Sequence, residues 1–319
     1  MPTLILGKQI VDKYLNMSEV IEAVEKAFID WSSGYGAMPS KAYIVVEKGD
    51  FRAMPAALPG VAGVKWVNVH PGNYRLNLPT VLGTLIYSDP DTGYPLAIMD
   101  ATEITAYRTG ATAAIASKYL ANKQSHCLGI VGAGHQAFTQ ILAHAELFNF
   151  DQIRVFDHDK GAIERLISYL PGYPLKESTL DELVSCDIIC TVTTAHEPVL
   201  KRESIAQGTH INAIGADATG KQELEISLLQ DSLVVVDDTT QSCSAGEINV
   251  AICNELFSAD DIYGTLGDII SGKKNGRQND ESITIFDSTG IAIEDIAVAK
   301  VIYEKAKQDS SAISVRLVD

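Results

Sequence analysis

The sequence predicts an α/β protein that contains two separate cores. Between residues 121 and 290, short apolar strands alternate with helices, which is typical of a parallel sheet covered by helices on both faces. Between about 40 and 100, short strands follow one another with only turn signals between them, which favours a mostly antiparallel sheet or open barrel in a domain of the α+β class. A chain of 319 residues with 46% hydrophobic residues is long enough to form both cores.

The first region opens with a helix and continues with short strands. Asn16 followed by Glu19 has the pattern of a helix-capping box, and apolar residues then recur at helical spacing until Gly34. Turn signals separate five predicted strands, at residues 41–46, 51–53, 63–69, 81–88 and 95–99. An alanine-rich helix is predicted at about 102–121.

The second region alternates strands with helices. Strands are predicted at residues 127–131, 153–156, 188–192, 210–214, 233–236 and 283–286, and a helix at 135–148. A last helix at about 291–307 carries apolar residues on one side, and we expect it to return to the first region. That return would make the first domain discontinuous in sequence.

The composition argues against several kinds of partner. A net charge of −16 disfavours nucleic acid and anionic membrane surfaces, because binding to phosphate requires clustered lysine and arginine. No apolar stretch approaches the roughly 20 residues of a membrane span, and the N-terminus lacks the pattern of a secretion signal. The cysteines and histidines show no metal-ligand spacing, so we expect no metal site and a reducing, cytoplasmic location.

A glycine-rich loop before the helix at 135–148 carries the strongest chemical signal. Gly132, Gly134 and Ala137 form the pattern G-x-G-x-x-A. The glycines permit a tight turn and close approach of a pyrophosphate, and the helix N-terminus presents free N–H groups to it. Asp157 ends the second strand, 25 residues after Gly132, near the ~20 expected for the acid that binds the ribose hydroxyls.

These features predict a Rossmann-type domain that binds a dinucleotide, and the competing interpretation is a glycine turn that binds nothing. A carboxylate at Asp157 accepts hydrogen bonds from a ribose diol and repels a 2′-phosphate, so we expect NAD rather than NADP. A protonated His158 would soften that repulsion. The expected NAD-binding domain spans residues 121–290, and the substrate and dimerisation domain spans 1–120 plus 291–319.

Lys65 is a candidate for proton transfer. It shares a strand face with Val67 and Val69, and a lysine on an apolar face requires a partner or a lowered pKa. The alternative is an edge lysine that extends its ammonium group to solvent.

Two further charged residues are candidates for a role in the site. Asp217 follows the strand at 210–214, at the sheet edge where ligands bind in such folds. The alternative is a helix cap for a segment that starts near Glu223. Arg108 lies in a helix of small apolar residues, and we expect it to face a carboxylate or phosphate of the protein or of a ligand.

Motifs along essentially the whole chain are shared with one known family. They are Lys65-Trp66-Val67-Asn68, His70-Pro71-Gly72-Asn73, Leu78-Pro79-Thr80, Arg108-Thr109-Gly110-Ala111, Val131-Gly132-Ala133-Gly134-His135-Gln136, His210-Ile211-Asn212-Ala213-Ile214-Gly215-Ala216-Asp217, Gly220-Lys221, Gly246-Glu247-Ile248 and Phe286-Asp287-Ser288-Thr289-Gly290. With these motifs the chain resembles the ornithine cyclodeaminase and mu-crystallin family, which includes archaeal alanine dehydrogenases. The resemblance implies a homodimer built through the N-terminal domain.

The resemblance also implies roles for individual residues. Lys65 would contact the substrate and transfer protons, and Asp217 would be the acid or base near the reacting carbon. Lys41 falls where cyclodeaminases carry an arginine for the substrate carboxylate. The residues implied for the NAD site are Thr80, Arg108, Gly132, Gly134, His135, Gln136, Asp157, His158, Thr193, Ile214, Gly215, Ala216, Lys221 and Ser288.

The implied activity is NAD-dependent oxidation of a small L-amino acid, with L-alanine to pyruvate and ammonia as the leading interpretation. The second interpretation is an ornithine cyclodeaminase. Those enzymes use a glutamate for the distal amine of ornithine at the position where this sequence has Arg52. Two cations about 4 Å apart repel by roughly 4 kcal/mol at an effective dielectric of 20, so Arg52 would hold the substrate carboxylate unless it pairs with Glu47 or Asp50. The third interpretation is a mu-crystallin-like ketimine reductase or ligand-binding protein. This interpretation predicts binding of NADPH, which the carboxylate of Asp157 disfavours.

Overall fold

The computed structural model describes residues 2–317 of the chain. The chain divides into two compact units, Met1–Arg108 with Ile291–Asp319 and Thr109–Gly290. The first division falls inside one long helix, Thr102–Leu120. The domain boundary at residue 120, expected from the sequence, coincides with the end of that helix and stays a prediction.

The first unit is built on a seven-stranded sheet within the described residues. Its strands are Thr3–Leu6 (β1), Ala42–Val46 (β2), Gly49–Leu58 (β3), Val61–Val69 (β4), Val81–Ser88 (β5), Pro95–Asp100 (β6) and, numbered last in the chain, Ile313–Val315 (β15). The order across the sheet is β15-β1-β6-β5-β4-β3-β2. Strands β2 to β6 pair with their chain neighbours in antiparallel ladders, whereas β1 pairs with β6 in parallel.

The ladders between the strands predicted at residues 40–100 are antiparallel, as expected, and the complete seven-stranded sheet is mixed. Strand β1 supplies the parallel pair, and it went unpredicted because four residues carry no measurable periodicity. Between residues 2 and 317, no ladder joins the edge strands β15 and β2, and the sheet is open rather than closed by hydrogen bonds. Alternate residues of β3, from Arg52 to Leu58, are buried, so one face of the sheet is covered.

Helices of the first unit cover that face. They are Lys8–Tyr14 (α1), Met17–Ser32 (α2) and Ala292–Ala306 (α11). The side chain of Asn16 accepts a hydrogen bond from the Glu19 N–H at 3.1 Å, so α2 begins where the sequence predicted. Helix α11 contacts α2, β3, β4 and β5 and is buried along most of its length.

The second unit contains a sheet in which every described ladder is parallel, as the sequence predicted. Its strands are Cys127–Val131 (β7), Gln152–Phe156 (β8), Leu175–Glu177 (β9), Ile188–Thr191 (β10), His210–Ala213 (β11), Leu233–Val236 (β12), Gly264–Thr265 (β13) and Thr284–Asp287 (β14). The order is β13-β12-β14-β11-β10-β7-β8-β9. The short edge strands β9 and β13 were not predicted.

Helices accompany these strands. They are Thr102–Leu120 (α3, which begins in the first unit), His135–Leu147 (α4), Lys160–Tyr169 (α5), Leu180–Leu183 (α6), Ile226–Gln230 (α7), Thr239–Ala245 (α8), Asn249–Cys253 (α9) and Leu266–Ile270 (α10). Short 3-10 helices lie at Pro71–Leu76, Arg202–Ser204 and Ala259–Asp261. In the part of the chain that the structure describes, no helix is both long enough and apolar enough to cross a membrane.

The strand order places a crevice at one point of the parallel sheet. From β7 the chain proceeds outward through β8 and β9, and it then returns to the other side of β7 to form β10. At such a reversal the loops that leave neighbouring strands diverge, and ligands bind at the carboxyl ends of the strands there. Two apolar clusters on either side of the sheet hold it in place, with Ile130 in one and Val131 in the other.

Candidate functional site

The loop between β7 and α4 is shaped by its two glycines. Gly132 has a φ of +102°, and a Cβ there would lie 3.0 Å from the carbonyl oxygen of Val192, so this turn favours glycine. Gly134 is the N-cap of α4 and has no side-chain cap, and a Cβ at Gly134 would meet nothing within 4 Å. The first N–H groups of α4 are thus approachable at an uncrowded loop, the arrangement that binds phosphate.

Asp157, directly after β8, is fixed against this loop. Its Oδ2 accepts a hydrogen bond from the Ala133 N–H at 2.7 Å, and its Oδ1 accepts one from the Asp159 N–H at 2.8 Å. The His158 ring packs edge-on against Phe156, with ring centroids 5.4 Å apart. A cavity of about 380 Å³ opens here, lined by Val131, Gly132, Gly134, Phe156, Asp157, His158, Val192, Thr193, Thr194, Ala195 and Val199.

A buried carboxylate organises the far wall of the cavity. Glu223 accepts hydrogen bonds from the Thr191 hydroxyl at 2.6 Å, from the N–H and hydroxyl of Thr193, both at 2.7 Å, and from the Gly215 N–H at 2.9 Å. Burial raises the pKa of Glu223, and these donors oppose the rise. Sequence reasoning missed this arrangement, because the four donors come from the end of β10, from the loop after it and from the loop after β11, which are distant in the sequence from Glu223 or from one another.

Asp217 lies beyond β11 in an ion pair. Its Oδ1 accepts a hydrogen bond from Lys221 Nζ at 2.6 Å, and the same Nζ donates to the Gly215 carbonyl at 3.2 Å. Helix α7 begins at Ile226 with Glu225 as its N-cap, so the alternative that Asp217 caps this segment is wrong. Nearby in the chain, Ile214 and Ala216 are buried.

Other predicted residues of the second unit lie at neighbouring strand ends. His135 and Gln136 occupy the first turn of α4, and Gln136 Oε1 is buried with no hydrogen-bond partner among residues 2–317. Ser288 follows β14 and donates its hydroxyl proton to Asp237 at 3.3 Å. The structure therefore gathers the residues predicted here around the ends of β7, β8, β10, β11 and β14.

In the first unit, Lys65 is completely buried. Its Nζ donates hydrogen bonds to Asp295 Oδ1 at 2.7 Å and to Thr105 Oγ1 at 3.2 Å. Burial lowers the pKa of Lys65 to about 7, although the Asp295 carboxylate acts in the opposite direction. The alternative of a lysine that extends to solvent is therefore wrong.

Arg108 shares the carboxylates that surround Lys65. Arg108 Nη1 lies 2.7 Å from Glu294 Oε2, and its Nε lies 3.2 Å from Asp295 Oδ1. The carboxylates that the sequence predicted for Arg108 thus come from the protein. Sequence reasoning missed Glu294 and Asp295, although two adjacent acids within the otherwise apolar run 291–299 were the signal that could have found them.

Arg52 lies on the same buried face as Lys65. Arg52 pairs in register with Val67, and Met54 pairs with Lys65, so the two cations are diagonal neighbours on β3 and β4. Arg52 also holds Asp50, with Nε 2.7 Å from Oδ1 and Nη2 3.2 Å from Oδ2, which is one of the two pairings considered from the sequence.

Two predicted residues lie just outside strands of the same sheet. Lys41 directly precedes β2. Thr80 directly precedes β5, and its carbonyl oxygen accepts a hydrogen bond from the His70 N–H at 2.8 Å.

Comparison with known proteins adds an independent line of evidence. The model of the ornithine cyclodeaminase/mu-crystallin family matches residues 1–310. An alanine dehydrogenase from Archaeoglobus fulgidus is 47% identical over 308 residues, which is 96% of each chain. A solved archaeal alanine dehydrogenase dimer with bound NAD superimposes with a TM-score of 0.97 at 45% identity, over 100% of both chains. Thermococcus litoralis Δ1-pyrroline-2-carboxylate reductase, solved with NADH and L-proline, gives a TM-score of 0.94 at 37% identity, over 98% of this chain and 100% of that one.

Proposed function

The chain belongs to the ornithine cyclodeaminase/mu-crystallin family, and from that membership we propose that it is an NAD-dependent L-alanine dehydrogenase. The observation that carries the proposal is the 47% identity to an alanine dehydrogenase across 96% of both chains. The reaction interconverts L-alanine, water and NAD⁺ with pyruvate, ammonium, NADH and a proton.

The second unit has the features that a dinucleotide requires. The loop at Gly132 and Gly134 would hold the pyrophosphate, and Asp157 would bind the ribose hydroxyls. The buried, unpartnered Oε1 of Gln136 is a polar atom that a ligand can satisfy. The other residues proposed to line this site are Thr80, Arg108, His135, His158, Thr193, Ile214, Gly215, Ala216, Lys221 and Ser288. NAD, when bound, supplies the acceptor for the hydride that leaves the α-carbon of the substrate.

Lys65 and Asp217 are proposed to move the protons of the reaction. A lysine with a pKa of about 7 is partly neutral at physiological pH and can take a proton from the substrate ammonium. Loss of the hydride then gives an iminium ion, and Asp217 accepts a proton from the water that adds to the iminium carbon. Asp217 returns that proton to the nitrogen, and ammonia departs as the hydroxyl group loses its proton to Asp217, leaving pyruvate.

Substrate recognition is assigned to the cations of the first unit. Arg52 lies on the same sheet face as Lys65, where Asp50 holds its Nε and Nη2. We propose that the substrate carboxylate displaces Asp50, because an arginine can hold a carboxylate through two parallel hydrogen bonds. Lys41 is proposed as a second, point-like positive charge. A cation at position 52 is unsuited to the second ammonium group of ornithine, which supports a dehydrogenase over a cyclodeaminase.

A reductase of cyclic imines is the second candidate function. The observation in its favour is the 37% identity and TM-score of 0.94 to the Thermococcus reductase. That reaction uses the same hydride step in the opposite direction, on an imine held in a ring.

The deciding experiment is an assay of the purified protein in both directions. NADH formation is followed with L-alanine, L-ornithine and L-proline, and NADH oxidation with pyruvate plus ammonium and with Δ1-pyrroline-2-carboxylate. We expect the highest kcat/KM for alanine in oxidation and for pyruvate plus ammonium in reduction. Arg52→Glu should lose alanine activity and improve the relative rate with ornithine. Faster proline formation from ornithine by the wild type, or preferred reduction of the cyclic imine, would overturn the assignment.

A homodimer formed through the first unit is part of the proposal. Strands β2, β4 and β5 expose large apolar side chains on the uncovered face of the sheet, including Ile44, Val46, Trp66 and Ile86, and apolar patches of this kind favour association. The similar archaeal enzyme was solved as a dimer. Light scattering on Ile44→Asp and Val46→Asp variants tests this interface, since each should shift the protein toward monomers.

The proposed location is the cytoplasm, and the proposed domains are those expected from the sequence. All five cysteines are free thiols, which a reducing compartment preserves. Residues 1–120 with 291–319 would form the substrate and dimerisation domain, and residues 121–290 the NAD-binding domain of Rossmann type.

A further inference from the structure

We propose that Asp295 is a positioning residue that holds Lys65 Nζ and supplies the counter-charge to its protonated form. The proposal rests on the proposed function, because Lys65 is the group through which Asp295 would act. It assigns a task to the first turn of α11, a segment that contributes no residue to the roles considered so far.

The hydrogen bonds around Lys65 Nζ all run outward from the nitrogen. Asp295 Oδ1 is an acceptor at 2.7 Å, and Thr105 Oγ1 is an acceptor at 3.2 Å. Thr105 donates its own hydroxyl proton to the Ala101 carbonyl at 2.7 Å, so Thr105 cannot donate that proton to Lys65. Both partners therefore accept hydrogen bonds from N–H groups of Lys65. The third position around Nζ, beside these two N–H groups, is occupied by neither partner.

That arrangement serves both protonation states of Lys65. The ammonium form directs two N–H groups to Asp295 and Thr105 and its third N–H along the remaining direction. The neutral amine keeps the same two hydrogen bonds and places its lone pair along that direction. Lys65 can therefore take up or release a proton without rearranging, which is the property that a proton-transfer group needs.

A purely structural role explains this pair less well. Asp295 and Lys65 are both completely buried, and the desolvation of buried ion pairs generally cancels much of their attraction. Asp295 Oδ2 is also buried without a hydrogen-bond partner among residues 2–317, and an unsatisfied buried oxygen destabilises the fold. A pair of apolar side chains would fill the same space without either penalty.

The charged groups that face Lys65 come from two helices and from β3, where Arg52 is its diagonal neighbour on the same sheet face and is paired with Asp50. Asp295 and Glu294 of α11 favour its ammonium form, and Arg108 of α3 disfavours it. The residues that flank Lys65 in register, Met54 on β3 and Leu85 on β5, carry no charge. Loss of the Asp295 charge should therefore lower the pKa of Lys65 below about 7.

The test compares the wild type with Asp295→Asn, which keeps an acceptor oxygen and removes the charge. In alanine oxidation, kcat/KM rises with pH as Lys65 becomes neutral, and this rise forms the acidic limb of the pH profile. The acidic limb should lie at least one pH unit lower in Asp295→Asn. The value of kcat should fall at least tenfold because an amide holds the amine less firmly. The KM for NAD should stay within twofold, since Glu294 still holds Arg108. Glu304→Gln, the same chemical change at an exposed position of α11, should leave the limb in place.

A direct titration separates this proposal from the proposed function. The ε-¹³C resonance of Lys65, identified by its loss in Lys65→Met, should titrate near pH 7 in the wild type and lower in Asp295→Asn, whether or not alanine is the substrate. Identical titrations in the two proteins would overturn the proposal. If Asp295→Asn does not fold, Asp295→Glu provides the test. This variant keeps the negative charge and displaces the carboxylate oxygen, so kcat should fall tenfold while the acidic limb of the pH profile stays at the same pH. Full kcat in Asp295→Glu would equally overturn it.

Discussion

The carboxylate of Asp157 accepts a hydrogen bond from the backbone N–H of Ala133 at 2.7 Å. This bond ties the acid at the end of β8 to the middle of the glycine loop that follows β7. A second bond from the Asp159 N–H fixes the other oxygen, so the negative charge has a defined place in the cavity wall.

Cofactor preference follows from that fixed charge. The wild type should bind NADH at least tenfold more tightly than NADPH, because a like-charge contact with the 2′-phosphate costs several kcal/mol. Asp157→Asn keeps an acceptor for the Ala133 N–H and should reduce the difference in affinity between NADH and NADPH. Fluorescence titration with both reduced cofactors measures it, with Asp159→Asn as the matched control. Tighter NADPH binding by the wild type would contradict the prediction.

Lys65→Met and Asp217→Asn should each reduce turnover by roughly 100-fold or more, the scale expected when a general acid or base is removed. NADH affinity should change little, since neither residue is proposed to hold the cofactor. Steady-state kinetics and NADH titration provide the two readouts, and Lys26→Met, on an exposed side chain, is the control. Normal turnover in either variant would remove that residue from the mechanism.

Gly215→Ala should damage both stability and cofactor binding. A Cβ at Gly215 would lie 2.2 Å from the Thr193 carbonyl oxygen and 2.6 Å from Glu223 Oε1, and forced overpacking typically costs about 1–3 kcal/mol. The free energy of unfolding should fall by at least about 2 kcal/mol, with weaker NADH binding. Gly172→Ala meets nothing within 4 Å and should leave both unchanged; equal effects of the two substitutions would refute the argument.

Acid should destabilise the protein through two buried histidines. Burial lowers the pKa of His144 to about 4 and that of His210 to about 3. Below pH 6.5 the unfolded chain therefore binds protons that the folded chain does not. The free energy of unfolding consequently decreases as the pH is lowered.

The test is urea unfolding at several pH values between 6.5 and 4.5. Each histidine should contribute a slope of up to about 1.4 kcal/mol per pH unit, so His144→Gln should flatten the dependence even if it is less stable at pH 7. His126→Gln, at an exposed site, controls for the loss of an imidazole. An unchanged slope in His144→Gln would show that His144 does not drive the loss of stability.

The parts of the fold that could be predicted are those with local signals. The strand before Gly132 is a continuous apolar run, and Asp157 follows the next strand at a characteristic distance, so the parallel sheet and its loop were accessible from the sequence. The burial of Lys65 could be predicted from the alternation along β4. Strand β3 was predicted only over 51–53, although it extends to Leu58, because a proline at 55 cannot donate to a ladder.

The parts that could not be predicted depend on residues far apart in the chain. Asp295 lies 230 positions from Lys65, and no periodicity links a strand residue to a helix at the other end of the sequence. Glu223 receives donors from two loops and one strand, and each contact exists only once the sheet has formed. Acidic residues in apolar segments deserve a search for distant partners, because their burial otherwise has no compensation.

Strand β2 has a consequence for how the protein behaves before it assembles. It is an edge strand of sequence Ala-Tyr-Ile-Val-Val in which every residue is exposed, the kind of segment that seeds intermolecular β-aggregation. At neutral pH the repulsion from a net charge of −16 keeps such chains apart. Acidification toward the isoelectric point near 4.8 removes that repulsion, so unassembled protomers should precipitate there. Dimers formed through the proposed interface, which would cover this strand, should remain dispersed longer.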